Sequence, residues 1–203
     1  MKNRLRLCGY RLAAKGYAVR WANTPYEGYD REDEVREPGW RFTENDGTEY
    51  WQLQDASWPE HVYFQSLEPV RSLQQGFRRY ARDLDILRVR VDLENIRSPQ
   101  ELEAECLPSA QEAPGARFAV LGFDVGYLLG NYSIIYQPGF MENVDETKRA
   151  YWVARLNAHG LFERIDNACT FRDFFEEERS RHAPGVLESG DMELLEVARL
   201  CER

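Results

Sequence analysis

Asp191-Met-Glu-Leu-Leu-Glu-Val-Ala-Arg-Leu-Cys201 is the stretch on which the fold turns. Asp191 stands where an N-cap belongs, and Leu194, Leu195, Ala198 and Cys201 recur at helical spacing. The stretch predicts a helix, and with it a sheet drawn from the N-terminal two-thirds of the chain and a helical remainder. Upstream, Asp166 reads as the cap of a helix whose apolar face is Ala168, Phe171, Phe174 and Phe175, with Glu176-Glu177-Glu178 as its solvated side. Before that, Asp145 to Ala158 carries Trp152, Val153 and Leu156 on one side, and Gly160 sits where a left-handed residue ends a helix, followed by Leu161.

Toward the middle of the chain the period changes from helical to two. Leu87, Val89, Val91 and Leu93 alternate with Arg88, Arg90 and Asp92, which predicts a half-buried strand. Arg117–Val125 and Tyr132–Tyr136 are apolar on both faces and predict central strands. Ser98-Pro99-Gln100-Glu101 carries the N-cap, N1 proline and capping-box glutamate of a short helix to about Cys106, after which Pro108 and Pro114 mark a connector. Pro69 opens an amphipathic helix bearing Val70, Leu73, Phe77, Tyr80, Ala81 and Leu84.

In the N-terminal third, Arg4–Cys8 and Tyr17–Trp21 alternate around Lys15-Gly16 and read as two paired strands, with Tyr10–Ala14 equally compatible with one helical turn. Trp40–Glu44 and Thr48–Leu53 flank Asn45-Asp46-Gly47 as a hairpin, because Gly47 can take the positive φ that closes a three-residue turn. Val62–Ser66 reads as a further strand. These elements make residues 1–203 one α+β domain with an antiparallel-rich sheet, interspersed helices and a C-terminal helical cluster. Its parts are a β-rich 1–68, a mixed 69–140 and a helical 141–203.

The chain has 203 residues, 43% of them hydrophobic and 30% charged, with a formal charge of −9. A net excess of acids argues against nucleic acid as a partner, since phosphate binding needs clustered Lys and Arg. The basic run Lys2, Arg4, Arg6, Arg11, Lys15 and Arg20 is read as a solvated face. No apolar run spans a membrane, no secretory leader is evident, and Cys8, Cys106, Cys169 and Cys201 form no CxxC pair, so a cytoplasmic setting with reduced thiols is expected. His61, His159 and His182 are far apart, so neither a metal nor a cofactor is implied. His159 is placed to cap a helix C-terminus, and His182 to lie on a surface loop.

Val120-Leu-Gly122-Phe-Asp124-Val-Gly126, followed by Asn131-Tyr-Ser133, resembles the first phosphate-binding turn of the actin and Hsp70-type ATPases, where an Asp and a Gly end one strand and a Ser or Thr follows. The resemblance would make Asp124 a site residue. It departs from that pattern at Tyr127-Leu128-Leu129, where the family has small hydroxyl residues, and the residue-level reading is that Gly122, Gly126 and Gly130 permit bulges or a turn.

The remaining signal is the segment after Trp21. Tyr26, Tyr29, Asp30, Glu32, Asp33, Glu34, Glu37 and Trp40 put five carboxylates among aromatic side chains in a stretch bracketed by Pro25, Gly28, Pro38 and Gly39. Aromatics supply contact area at low entropic cost, and the carboxylates select a basic protein partner, a toxin being one instance. The expectation is an acidic binding domain that occludes such a partner, by analogy with immunity proteins. The alternatives are a small hydrolase-type enzyme with a site assembled from scattered carboxylates or a Cys/His pair, and a structural subunit of a larger assembly or homo-oligomer.

Overall fold

Leu84–Asp92 (β2) is the strand that the alternation predicts, begun three residues earlier than the pattern suggested. Leu87, Val89 and Val91 are fully buried, while Arg88 and Arg90 are only partly covered. The computed structural model describes residues 4–14, 64–76, 84–97, 112–127, 133–136, 138–183, 187 and 191–201. The expected strand 17–21, the hairpin 40–53 and the helix 98–106 lie outside them. Leu84 belongs to β2 and not to the preceding helix, because its backbone pairs with Ala14.

β2 joins a four-stranded antiparallel sheet in the order β1-β2-β4-β3, with β1 at Leu5–Ala14, β3 at Phe118–Gly126 and β4 at Glu193–Leu200. The fold is therefore α+β. β1 is one long strand through Ala14, which removes the helical-turn alternative for residues 10–14, and its described partner is β2. Its other neighbour is Phe64, which exchanges two backbone hydrogen bonds with Tyr10 at 2.9 and 2.8 Å. Of the expected strand 62–66, Phe64 makes this bridge and Gln65 and Ser66 bend away into α1, Leu67–Gly76, so the helix begins two residues before Pro69.

β4 is the main correction to the sequence reading: Glu193–Leu200 is a strand, not a third C-terminal helix, and it lies between β2 and β3. The portion expected to be helical to residue 203 thus supplies an interior strand of the sheet. The physical reason is burial on two faces. Residues 193 to 198 are all buried, with Leu195 and Val197 beside Val91 and Val89, and Glu196 beside Arg90. A helix can bury one stripe of such a segment, whereas an interior strand buries both sides and satisfies its backbone through two neighbours, so tertiary context overrides local pattern.

Ser133 makes one bridge to Gly126, and Ile134–Tyr136 forms a 3-10 turn where a central strand was expected. Ile134 and Ile135 are fully buried there, and periodicity cannot distinguish a buried turn from a buried strand in so short an apolar run. Helices α2 (Pro138–Asn143), α3 (Glu146–Val153) and α4 (Ile165–Arg181) follow. Asp145, expected as the first residue of the helix, caps α3 instead, accepting from Thr147 N and Lys148 N. α3 ends at Val153, short of the predicted Ala158, and Val153 is exposed. Gly160 does adopt a left-handed φ of 65°, but in a turn where its N–H donates to Asn157 O.

That turn returns the chain to the sheet. Phe162 docks on β3 through reciprocal bonds with Phe123 of 2.8 and 2.9 Å. Gly122 makes the close approach possible: with φ of 151° at a register shift, a Cβ there would meet Leu161 Cβ and Phe162 O at 2.7 Å. Asp166 lies within the first turn of α4 instead of capping it, where its charge still favours the helix dipole. Phe140, Phe171 and Phe175, with Trp152 and Phe162, form an aromatic core beneath the helices against Val125, Met192 and Leu194. Phe171 meets Trp152 and Phe140 edge-on at centroid distances of 5.2 and 5.5 Å.

Candidate functional site

The residues singled out for partner contact, Tyr26, Tyr29, Asp30, Glu32, Asp33, Glu34, Glu37 and Trp40, lie outside the described residues. The other sequence candidate is inside the fold. Asp124 and Ser133 meet, with Ser133 Oγ donating to Asp124 Oδ1 at 2.6 Å. The same oxygen accepts from Val125 N at 2.8 Å. Each residue is 2% exposed, so the pair ties the end of β3 to a position nine residues on, and the Ser133 hydroxyl, already donated to Asp124, is not open to a phosphate. Gly122 marks a bulge, as the residue-level reading expected.

A chain of ion pairs runs across β1, β2 and β4. Arg4 clasps Asp92 through Nε and Nη2, both at 2.8 Å, and Asn95 Nδ2 and Glu94 N also donate to that carboxylate. Burial alone would raise the Asp92 carboxyl, but these donors more than offset it and leave the group below its ordinary value of 3.8. The bond to Asp92 in turn raises the Arg4 guanidinium. On the neighbouring pair, Arg90 donates to Glu196 at 2.8 and 2.6 Å from the directly opposite register position. Arg88 lies 3.5 Å from the same carboxylate and 4.5 Å above the Phe118 ring.

The second charged cluster lies where α3 and α4 meet, and no residue of it was anticipated as a site. Lys148 Nζ and Arg181 Nη1 both donate to Oε1 of Glu178, at 2.7 and 2.6 Å. Glu178 was expected on a solvated face and is instead 3% exposed, because α4 turns it toward α3. Burial pushes its carboxyl up, and the ammonium and guanidinium more than offset that, so the net shift is downward and it stays ionised at neutral pH. Beside it opens a groove of about 310 Å³ walled by Tyr151, Trp152 and Phe174. Tyr151 is 51% exposed and already carries a stacked cation, the Arg155 guanidinium 3.2 Å from its ring centre. The i, i+3 spacing of Glu178 and Arg181, and of Lys148 and Tyr151, was legible; that the two helices bring them together was not.

His182, expected in a surface loop, closes α4. Its Nδ1 lies 2.8 Å from Glu178 O and its Nε2 3.2 Å from Asn143 O. This is the helix-end role expected of His159, which instead sits in the Asn157 turn with its N–H donated to Asn157 Oδ1. Cys169 is half-buried, and burial pushes its thiol up, away from a reactive thiolate. Among the described residues no three His, Cys, Asp or Glu side chains converge to hold a metal ion, and no helix is long and apolar enough to cross a membrane.

No protein-family model, curated protein or solved structure matches the chain.

Proposed function

We propose that the protein is an acidic binding domain that occludes a basic protein partner through the segment from Tyr26 to Trp40. The observation that carries this reading is the distribution of charge. The described residues hold sixteen Lys and Arg against eighteen Asp and Glu, close to balance. Many of these are consumed by one another, as in Arg4–Asp92, Arg90–Glu196 and Lys148–Glu178–Arg181. Residues 15 to 63 hold eleven acids against five bases, together with four of the five tryptophans. An excess of six acids out of the net charge of −9 therefore lies in residues 15 to 63, four of it within Tyr26–Trp40, a composition rich in aromatics and suited to steering and then holding a cationic surface.

The test is to capture partners from a cytoplasmic extract on the immobilised chain, identify them by mass spectrometry, and repeat with Asp30, Glu32, Asp33, Glu34 and Glu37 all changed to Ser. A basic protein is expected in the first capture and at least a tenfold loss in the second, about 1.4 kcal/mol, with an unchanged melting temperature. Association with the purified partner should slow as salt is raised. Equal capture by the two chains would overturn the reading.

A further inference from the structure

We infer that His182 is a pH-sensitive clasp between the C-terminal ends of α2 and α4, closed by its imidazolium form and released when the ring loses a proton. The device lies apart from the acidic segment and does not depend on the partner proposed above. Both ring nitrogens face the same kind of atom: Nδ1 lies 2.8 Å from the carbonyl oxygen of Glu178, and Nε2 lies 3.2 Å from that of Asn143. A carbonyl oxygen only accepts. A neutral imidazole has one N–H donor and a lone pair on its other nitrogen, whereas the imidazolium donates from both. Only the charged ring therefore makes both bonds, and in the neutral ring one nitrogen sets its lone pair against an oxygen.

The contact that gives way is the one to Asn143. Glu178 O is the nearer oxygen and belongs to the helix that His182 ends, whereas Asn143, the last residue of α2, is 39 positions away in the chain. The C-terminal end of the 17-residue α4 also attracts a positive ring, because its last carbonyls carry the negative end of the helix dipole. The formal charges nearby are of both signs and mostly engaged. On α4 the Glu178 carboxylate is held by Arg181 and by Lys148 of α3, and Arg179 is paired with Glu176. On α2 Glu142, next to Asn143, is exposed, and Asp145 before α3 accepts from Thr147 N and Lys148 N. Carboxylates, ammonium and guanidinium groups ordinarily titrate outside the range from about pH 5.5 to pH 8, in which histidine changes charge.

Release is local. Phe140 stays packed on Phe171 and Phe175 of α4, while the last turn of α2, where Val144 N donates to Phe140 O at 3.2 Å, loses one of its ties. The clasp is complete while the ring is charged, at mildly acidic pH, and is lost as the proton leaves at higher pH.

The experiment measures amide hydrogen exchange of the full chain at about pH 5.5 and about pH 8, each rate divided by the intrinsic rate at that pH, in the wild type, His182→Ala and His182→Arg. In the wild type the opening equilibrium at Asn143 and Val144 should rise about fivefold or more between the two values. His182→Ala should be as open at the lower pH as at the higher, to within about twofold. His182→Arg, always charged and with its donors in a fork, should stay closed at both. Nitrogen NMR of the wild-type ring, assigned with His182→Ala, should place the remaining proton on Nδ1 at the higher pH. His182→Arg decides the matter if His182→Ala does not fold. Equal opening of the wild type at both values, a pH dependence that persists in either variant, or a neutral ring with its proton on Nε2 would each overturn the proposal.

Discussion

The aromatic core beneath the helices and the ion-paired network across the sheet share β4 and use it in opposite ways. Beneath α2, α3 and α4, β3 and β4 contribute Val125 and Leu194 to a cluster of Phe140, Trp152, Phe162, Phe171 and Phe175. Burial there is non-directional: it rewards any arrangement that removes rings from water. Across β1, β2 and β4 the contacts are Arg4 with Asp92 and Arg90 with Glu196, each tied to a particular register. A slip of β4 by one residue would turn Glu196 to the other face of the sheet, beside the fully buried Val89 and Val91. The core therefore supplies most of the free energy, and the charged network restricts which alignment of strands can collect it.

Breaking the core should have the largest effect. Phe171 is fully buried and touches Trp152, Phe140, Phe162 and Phe175. Phe171→Ala should cost about 4 kcal/mol in urea unfolding, the range for a buried aromatic whose neighbours are large and interlocked. A loss under about 1 kcal/mol would mean that the helices do not rest on this ring.

Breaking the network should cost less and should depend on pH, as the core should not. Asp92→Asn keeps the size of the side chain and removes the charge that Arg4, Asn95 and Glu94 converge on. Since Arg4 is 41% exposed and can be rehydrated, the expected cost is about 2 kcal/mol at neutral pH. The Asp92 carboxyl is lowered in the fold, so its contribution is complete above its ordinary value of 3.8 and drains away as pH falls through the lower folded value. The gap between wild type and Asp92→Asn should accordingly narrow below about pH 4. A gap that stays constant from pH 7 to pH 3 would show that Asp92 matters for its shape and not its charge.

The same contrast explains what was readable in the sequence. β2 was legible because Leu87, Val89 and Val91 alternate with arginines, and one partly polar face leaves a period of two in the residues themselves. β4 was not, because an interior strand covered on both sides leaves no such trace, and its glutamates at 193 and 196 mimic a solvent-facing stripe while both are buried. Arg90, which answers Glu196, is 106 positions away in the chain. Gly122 as a bulge was legible because the effect is local. The groove was not, since Lys148 and Glu178 are 30 positions apart and meet only through the crossing of two helices.

The smallest effect sharpens the comparison by removing burial altogether. Arg164 and Asp166 form an ion pair at 3.0 Å, nearly as short as that of Arg4 with Asp92, but their side chains are 74% and 72% exposed. Water already solvates both partners, and holding two long side chains together costs rotamer entropy, so the Coulomb gain is almost cancelled. Arg164→Ala should therefore change stability by no more than about 0.5 kcal/mol, and raising salt should erase even that. If distance alone set the value of an ion pair, Arg164→Ala and Asp92→Asn would cost about the same in parallel urea titrations. A difference of about fourfold between them, at nearly equal N–O distances, would assign the strength of the sheet network to the 1% exposure of Asp92 and the extra donors that burial forces upon it.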